Sequence, residues 1–168
     1  MSVDIKSADE QLKINKMGKK IIPGQGFGDI KFGMTENEVI DKLGKPDEIE
    51  VQEMDDNEVV NVYYYDELGL SVSFDSLEEF RLVEMSFDDN IYTLENNFYP
   101  GMSRDLFLEH AGELGEYEME DLAEEDTDVN ELYTFEDKNV NIWITDGIVD
   151  TIQIGPFWSD DDNVKWPD

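Results

Sequence analysis

Residues 32–46 read FGMTENEVIDKLGKP, and residues 98–115 read FYPGMSRDLFLEHAGELG. A shift of 68 lays Gly101, Met102 and Ser103 over Gly33, Met34 and Thr35, and sets Phe107, Leu108 and Ala111 against Val39, Ile40 and Leu43. The repetition constrains the fold, because a short helix of this kind cannot bury its apolar face alone and must be completed by a neighbour. In the first copy Thr35 and Glu38 have the spacing of a reciprocal capping box, which satisfies two orphan amides at a helix start. Val39, Ile40 and Leu43 then form one apolar stripe. Gly44 tolerates a left-handed backbone and Pro46 lacks an amide, so together they stop the helix. In the second copy Leu106 replaces Glu38, Asp105 still places an anion in the first turn, and Gly112 falls on Gly44.

Downstream of each helix the period changes to alternation. VVNVYYY (59–65), LSVSF (70–74) and RLVEMSF (81–87) read as three strands, and ELYTF (131–135), VNIWI (140–144) and VDTIQI (149–154) repeat them at shifts of 67 to 70. Between helix and strands lie the acidic intervals EVQEMDDNE (50–58) and EMEDLAEEDTDVN (118–130). The pattern predicts an α+β fold: a tandem repeat of a short helix plus a three-stranded antiparallel meander, forming one larger sheet with the helices on one face. The expected divisions are a partly disordered N-terminal segment (1–26), repeat 1 (27–92), repeat 2 (93–158) and an acidic tail (159–168), in one globular domain. With 39% hydrophobic and 11% aromatic residues in 168, a core of that size can be filled.

Alternation also assigns faces. Val72, Phe74, Val83, Met85, Ile142, Ile144, Ile152 and Ile154 are expected to point toward the helices, with Tyr63, Tyr65, Tyr133 and Phe135. Ser71, Ser73, Glu84, Ser86, Asn141, Trp143, Thr151 and Gln153 then point away, with Tyr64. Large amphipathic aromatics in a field of small polar residues are what anchors a protein interface. A one-residue register slip would turn Tyr64 over, and Phe157 or Trp158 folding back would bury Trp143.

The charge restricts the partners. Against 12 Lys and Arg stand 43 Asp and Glu, a formal −31 at pH 7. Such a chain repels nucleic acid and anionic membrane and accelerates encounters with cationic proteins; adaptation to brine and general solubility are the bland alternatives. There is no cysteine, the first 25 residues hold no apolar run of signal-peptide length, and no window approaches 18 apolar residues, so a cytoplasmic protein is expected.

Chemistry is hard to find. His110, the one histidine, falls mid-helix with no nucleophile or second histidine at a useful spacing. Carboxylate pairs are unavoidable among so many acids and single out no catalytic pair. Asp126, Asp128 and Asn130 imitate the opening of a calcium loop, but Glu131 stands where glycine is needed and a strand follows where a helix should. PGQGFG (23–28) follows no strand and lacks the lysine of a phosphate loop, and reads as a lead-in to the first unit. Neither an enzyme nor a cofactor or metal site is expected.

FGMTENEVIDKLGKP followed by a meander resembles the unit of the β-lactamase inhibitor protein family, built of tandem helix-and-strand repeats. It is also similar to that of the small outer-membrane lipoproteins of the barrel-assembly machinery, which share the G-M-[ST] start and L-G-x-P stop. The likeness covers roughly residues 27–157. It implies a sheet whose open face grips another protein, although no lipid-attachment cysteine is present and no residue singles out a β-lactamase. Combined with the charge, it leads to the expectation of an immunity protein that occludes the Lys/Arg-rich cleft of a basic protein toxin, a nuclease fitting best. Tyr64 and Trp143 are the expected anchors, with Glu84, Asp88, Asp89 and Trp158 as further contacts. The alternative is an envelope-associated or structural adaptor that inhibits nothing. Self-repulsion has a measurable consequence: raising NaCl from about 0.01 M to about 1 M shortens the screening length from about 30 Å to about 3 Å. The midpoint of thermal unfolding is expected to rise by several degrees, as followed by circular dichroism.

Overall fold

The computed structural model describes residues 20–95, 97–122 and 130–167. Its architecture is mixed α+β with mostly antiparallel sheets. The described helices are α1 (Glu36–Leu43) and α2 (Arg104–Leu114). Four short strands, β1 (Lys20–Ile22), β2 (Gly26–Phe27), β3 (Ile30–Lys31) and β8 (Thr93–Leu94), make a small sheet in the order β3-β2-β1-β8. The large sheet has eight strands: β4 (Glu48–Glu53), β5 (Val59–Tyr65), β6 (Leu70–Asp75) and β7 (Arg81–Phe87), then β9 (Glu118–Asp121), β10 (Asn130–Phe135), β11 (Val140–Thr145) and β12 (Ile148–Ile154). Their order is β4-β5-β6-β7-β12-β11-β10-β9.

Both helix starts follow from their caps. Thr35 Oγ1 accepts from the Glu38 amide at 3.3 Å while Glu38 Oε1 accepts from the Thr35 amide at 3.1 Å. In α2 the Ser103 hydroxyl accepts from the Leu106 amide at 3.2 Å. The stops differ. Gly112 does not end α2, which continues to Leu114 and is capped by Gly115 at φ 139°. An interior glycine costs about 1 kcal/mol, whereas burying a leucine returns roughly 1.5–3 kcal/mol, and Leu114 is 1% exposed.

Each helix is followed by four antiparallel strands, one more than the alternation indicated. β4 and β9, within or overlapping the acidic intervals, are the edges of the sheet. They carry at most a short pattern: Ile49 and Val51 alternate with Glu48, Glu50 and Gln52 on β4, but at 52% and 59% exposure they have no buried face to extend the alternation, and β9 (EMED) has a single apolar residue. Glutamates along an edge also discourage pairing with a further chain.

Two rows of side chains cross the sheet on its inner face. Tyr63, Val72, Met85, Ile154, Val140 and Phe135 are register partners in one, and Tyr65, Leu70, Phe87, Ile152, Ile142 and Tyr133 in the other. All are buried. The helices cover the flanks of these rows. On one side the Tyr63 hydroxyl donates to Glu36 Oε1 at 2.8 Å and that of Tyr65 to the Gly44 carbonyl at 2.9 Å. On the other, the Phe107 ring lies 4.9 Å from that of Tyr133.

The two described helices cannot cover the whole sheet. Eight strands at about 4.8 Å spacing span roughly 34 Å, and two helices cover about 20 Å of it. The small sheet fills the middle: Phe27 sits 5.5 Å from both Phe87 and Tyr92, edge to face. Residues 20–32 are therefore structural, with Ile21, Phe27, Ile30 and Phe32 all buried, and PGQGFG follows β1 and supplies β2 and its turns.

One inward assignment fails. Phe74 pairs with Leu82 and Ser73 with Glu84, so Val83 is an extra residue in a β-bulge. Leu82, Met85 and Phe87 point inward, and Val83 is turned outward beside Glu84. The equivalent break in β12 skips Asp150, since Trp143 pairs with Thr151 and Ile144 with Val149.

The two halves share one more feature. Gly33 N donates to Leu82 O at 3.0 Å and Leu82 N to Met34 O at 2.8 Å; Gly101 N donates to Val149 O at 2.7 Å and Val149 N to Met102 O at 2.8 Å. The loop before each helix is thus bound to the last strand of the meander that follows it.

The C-terminal residues form a ribbon, β13 (Phe157–Trp158) with β14 (Val164–Lys165), and Trp166 packs against the core under the Arg81 guanidinium at 5.8 Å. Gly24 permits the docking: at φ +78° it lies so close to Phe157 that a Cβ would fall 2.5 Å from the ring. Among the described residues no helix is long and apolar enough to cross a membrane. Phe87 pairs with Leu70 and Ile152 within the large sheet and packs on Phe27 and Tyr92, so Phe87→Ala is expected to lower unfolding free energy by about 3–5 kcal/mol in urea titrations.

Candidate functional site

The outer face of the large sheet, turned away from both described helices, has its own row. Glu48, Tyr64, Ser71, Ser86, Gln153, Asn141, Thr134 and Glu118 are successive register partners from one edge to the other. It begins and ends in glutamate and contains neither Lys nor Arg. Its centre is hydrogen-bonded: Asn141 Nδ2 donates to Gln153 Oε1 at 3.1 Å, and Gln153 Nε2 to Ser86 Oγ at 3.3 Å. Glu50 and Glu120 add a second acid at each edge, opposite Val62 and Leu132.

Tyr64 lies in this row as alternation requires, half-buried, with its hydroxyl 3.4 Å from Glu50 Oε1. Burial and then the neighbouring Glu50 raise its phenol above the ordinary value, so it remains a neutral donor. Trp143 also faces outward and is half-buried, paired with Thr151 and Leu132. Four strand intervals separate β5 from β11, about 19 Å.

The remaining expected contacts divide between the two ends of the strands. Glu84 and Trp158 converge at one end, where a cavity of about 230 Å³ is lined by both of them and by Val83, Asn141 and Gln153. Trp158 is 51% exposed. Burial raises the Glu84 carboxyl above its ordinary value, and a hydrogen bond with Ser73 offsets part of the effect.

Asp88 and Asp89 follow β7 at the other end, where they share a shallow groove with Asp150. Asp89 has a structural task, its Oδ1 accepting from the Ile91 amide at 3.1 Å. Burial, then Asp150 and Asp89, raise the Asp88 carboxyl. The structure therefore brings Glu84 to Trp158, and places Trp143 and the aspartate pair toward the opposite end.

Other acids behave as solvated or structural groups. Glu131 is buried, but Arg104 meets it at 2.7 and 3.2 Å and the Tyr133 hydroxyl donates to it at 3.2 Å, a satisfied network under the helices. His110 lies 3.2 Å from Glu113 on the surface of α2. The acids Glu124, Glu125, Asp126 and Asp128, including most of the calcium-loop imitation, lie outside the described residues. Among the described residues no group of three or more His, Cys, Asp or Glu side chains could hold a metal ion.

The edge glutamates escaped the sequence reading because their segments read as acidic intervals, although Ile49 and Val51 alternating with Glu48 and Glu50 were a signal for β4; Val83 escaped because a bulge leaves no mark in alternation. A buried carboxyl of this kind has a clear pH signature. With its value raised in the folded state, ionised Glu84 costs stability; the cost is full above the raised value and gone below about pH 4. Glu84→Gln is thus expected to raise the urea midpoint at pH 7, with the gain vanishing as the pH falls to about 4.

Compared with known proteins, the chain matches no family model, no curated protein and no solved structure.

Proposed function

We propose that this chain is a proteinaceous inhibitor of the immunity type, which neutralises a basic protein toxin by laying the outer face of its large sheet over the toxin's cationic cleft. The observation that carries this reading is the row from Glu48 to Glu118: an aromatic anchor and small polar side chains between two acidic edges, with no cation among them. A nuclease fits best, since a cleft that holds phosphate must present Lys and Arg. Binding of this kind needs no chemistry. Long-range attraction sets the association rate, and the desolvated centre around the aromatic anchors sets the dissociation rate.

We also read the two halves as tandem copies of one helix-plus-meander unit, similar to that of the β-lactamase inhibitor protein family. Three correspondences support it. The helices begin at a shift of 68, the bulged residues Val83 and Asp150 lie 67 apart, and the same pair of backbone hydrogen bonds ties Gly33 and Met34 to Leu82 and Gly101 and Met102 to Val149.

The test is co-expression with the protein encoded beside this gene, scoring growth, followed by titration of the purified pair. Neutralisation of a toxic, basic neighbour is expected, with affinity falling as salt rises. Trp143→Ala or Tyr64→Ala should weaken binding by roughly thirtyfold, the scale of an interface hot spot. Unchanged affinity in both variants would sink the assigned face, and binding without neutralisation would favour an adaptor.

A further inference from the structure

The cavity at the Glu84 end has an unusual origin. In a regular β7 only one of Val83 and Glu84 could face outward; the bulge opposite Ser73 turns both that way. The C-terminal ribbon then supplies the facing wall, carrying Trp158 to the cavity from a separate part of the chain. The floor is the amide pair Asn141 and Gln153. Because Asn141 donates its Nδ2 proton to Gln153 Oε1, its own carbonyl oxygen is left as an acceptor.

The lining is acidic and aromatic at once. Asp75 and Glu78 join Glu84, and among the described residues no Lys or Arg lines the cavity. Among the described residues no cation pairs with Glu84, whose carboxyl interacts with Ser73 alone. A partly desolvated carboxylate without a counter-ion beside an exposed indole is the complement of a flat cation. At about 230 Å³ the space suits a single long side chain, being below the roughly 300–1,000 Å³ of small-molecule sites.

We propose that this cavity receives one arginine side chain of the basic partner protein, its guanidinium lying against the Trp158 indole and donating to the Glu84 carboxylate and the Asn141 carbonyl. The assignment rests on the reading that the chain binds a basic protein. Arginine fits better than lysine because its planar fork both stacks on an aromatic ring and meets a carboxylate at two points. The site also gives the outer face polarity. One end of the sheet holds a pocket for a particular side chain, and the other presents Trp143 and the aspartates.

The experiment is an NMR titration of the full isotope-labelled chain with N-acetyl-arginine amide, and with its uncharged isostere N-acetyl-citrulline amide. Arginine amide is expected to shift the Trp158 indole and the Asn141 and Gln153 side-chain amides saturably, leaving the Trp143 indole in place. The citrulline probe should leave all four unmoved. Glu84→Gln, which keeps the size of the side chain, should weaken arginine binding by about tenfold or more, as loss of a charge-assisted hydrogen bond does. Trp158→Ala should weaken it independently.

No saturable shift at Trp158, equal shifts with citrulline, or small shifts spread over the acidic surface would overturn the assignment. The two readings fail separately. A basic partner held through Tyr64 and Trp143, with affinity indifferent to Glu84→Gln and Trp158→Ala, would remove the pocket and leave the inhibitor. Specific binding of arginine amide by a chain that neutralises no basic protein would do the reverse.

Discussion

Three residue pairs hold the large sheet together at its centre. Met85 with Ile154, Ser86 with Gln153 and Phe87 with Ile152 are the whole register between β7 and β12. Across that short seam the inner rows run unbroken from Tyr63 to Phe135 and from Tyr65 to Tyr133, so one core serves both halves. Without it, each half would be a short helix on a four-stranded meander with an apolar edge exposed. The small sheet lies over the same place, with Phe27 and Tyr92 packed on Phe87. The seam is thus joined by backbone pairing and closed by aromatic packing.

The same seam organises the outer face. Ser86 and Gln153 meet there, and their hydrogen bond, extended to Asn141, makes a polar centre that does not need burial to be satisfied. Acids accumulate away from it, at the edges and at the strand ends. A sheet charged in this way resists stacking on its own copies, since like charges would oppose one another. It meets cationic surfaces without that cost. Both properties come from one distribution of glutamate and aspartate, which is why net charge alone could not separate solubility from recognition.

Much of this was legible in the chain. Both helix starts, six of the eight strands of the large sheet and the outward placement of Tyr64 and Trp143 follow from caps and from alternation, which are local rules with a strong physical cause. What escaped had no local cause. The edge strands lacked a buried face, leaving only the two apolar positions Ile49 and Val51 on β4 and Met119 on β9, and Gly112 gave way to the burial of Leu114. The small sheet is built of two- and three-residue strands that only a partner such as β8 can stabilise.

The sequence by itself determined the two capped helix starts, the two faces of each inner strand and the acidic character of the whole, because each depends on neighbours within a few positions. Only the tertiary structure decided which residues meet. The bulge at Val83 arises from pairing with β6, and Trp158 lines the same cavity as Glu84 because the C-terminal ribbon is anchored through Phe157 on Gly24 and Trp166 beside Gly33. Contacts between residues more than 70 positions apart are selected by the packing of the whole core. No periodicity along the chain can encode them.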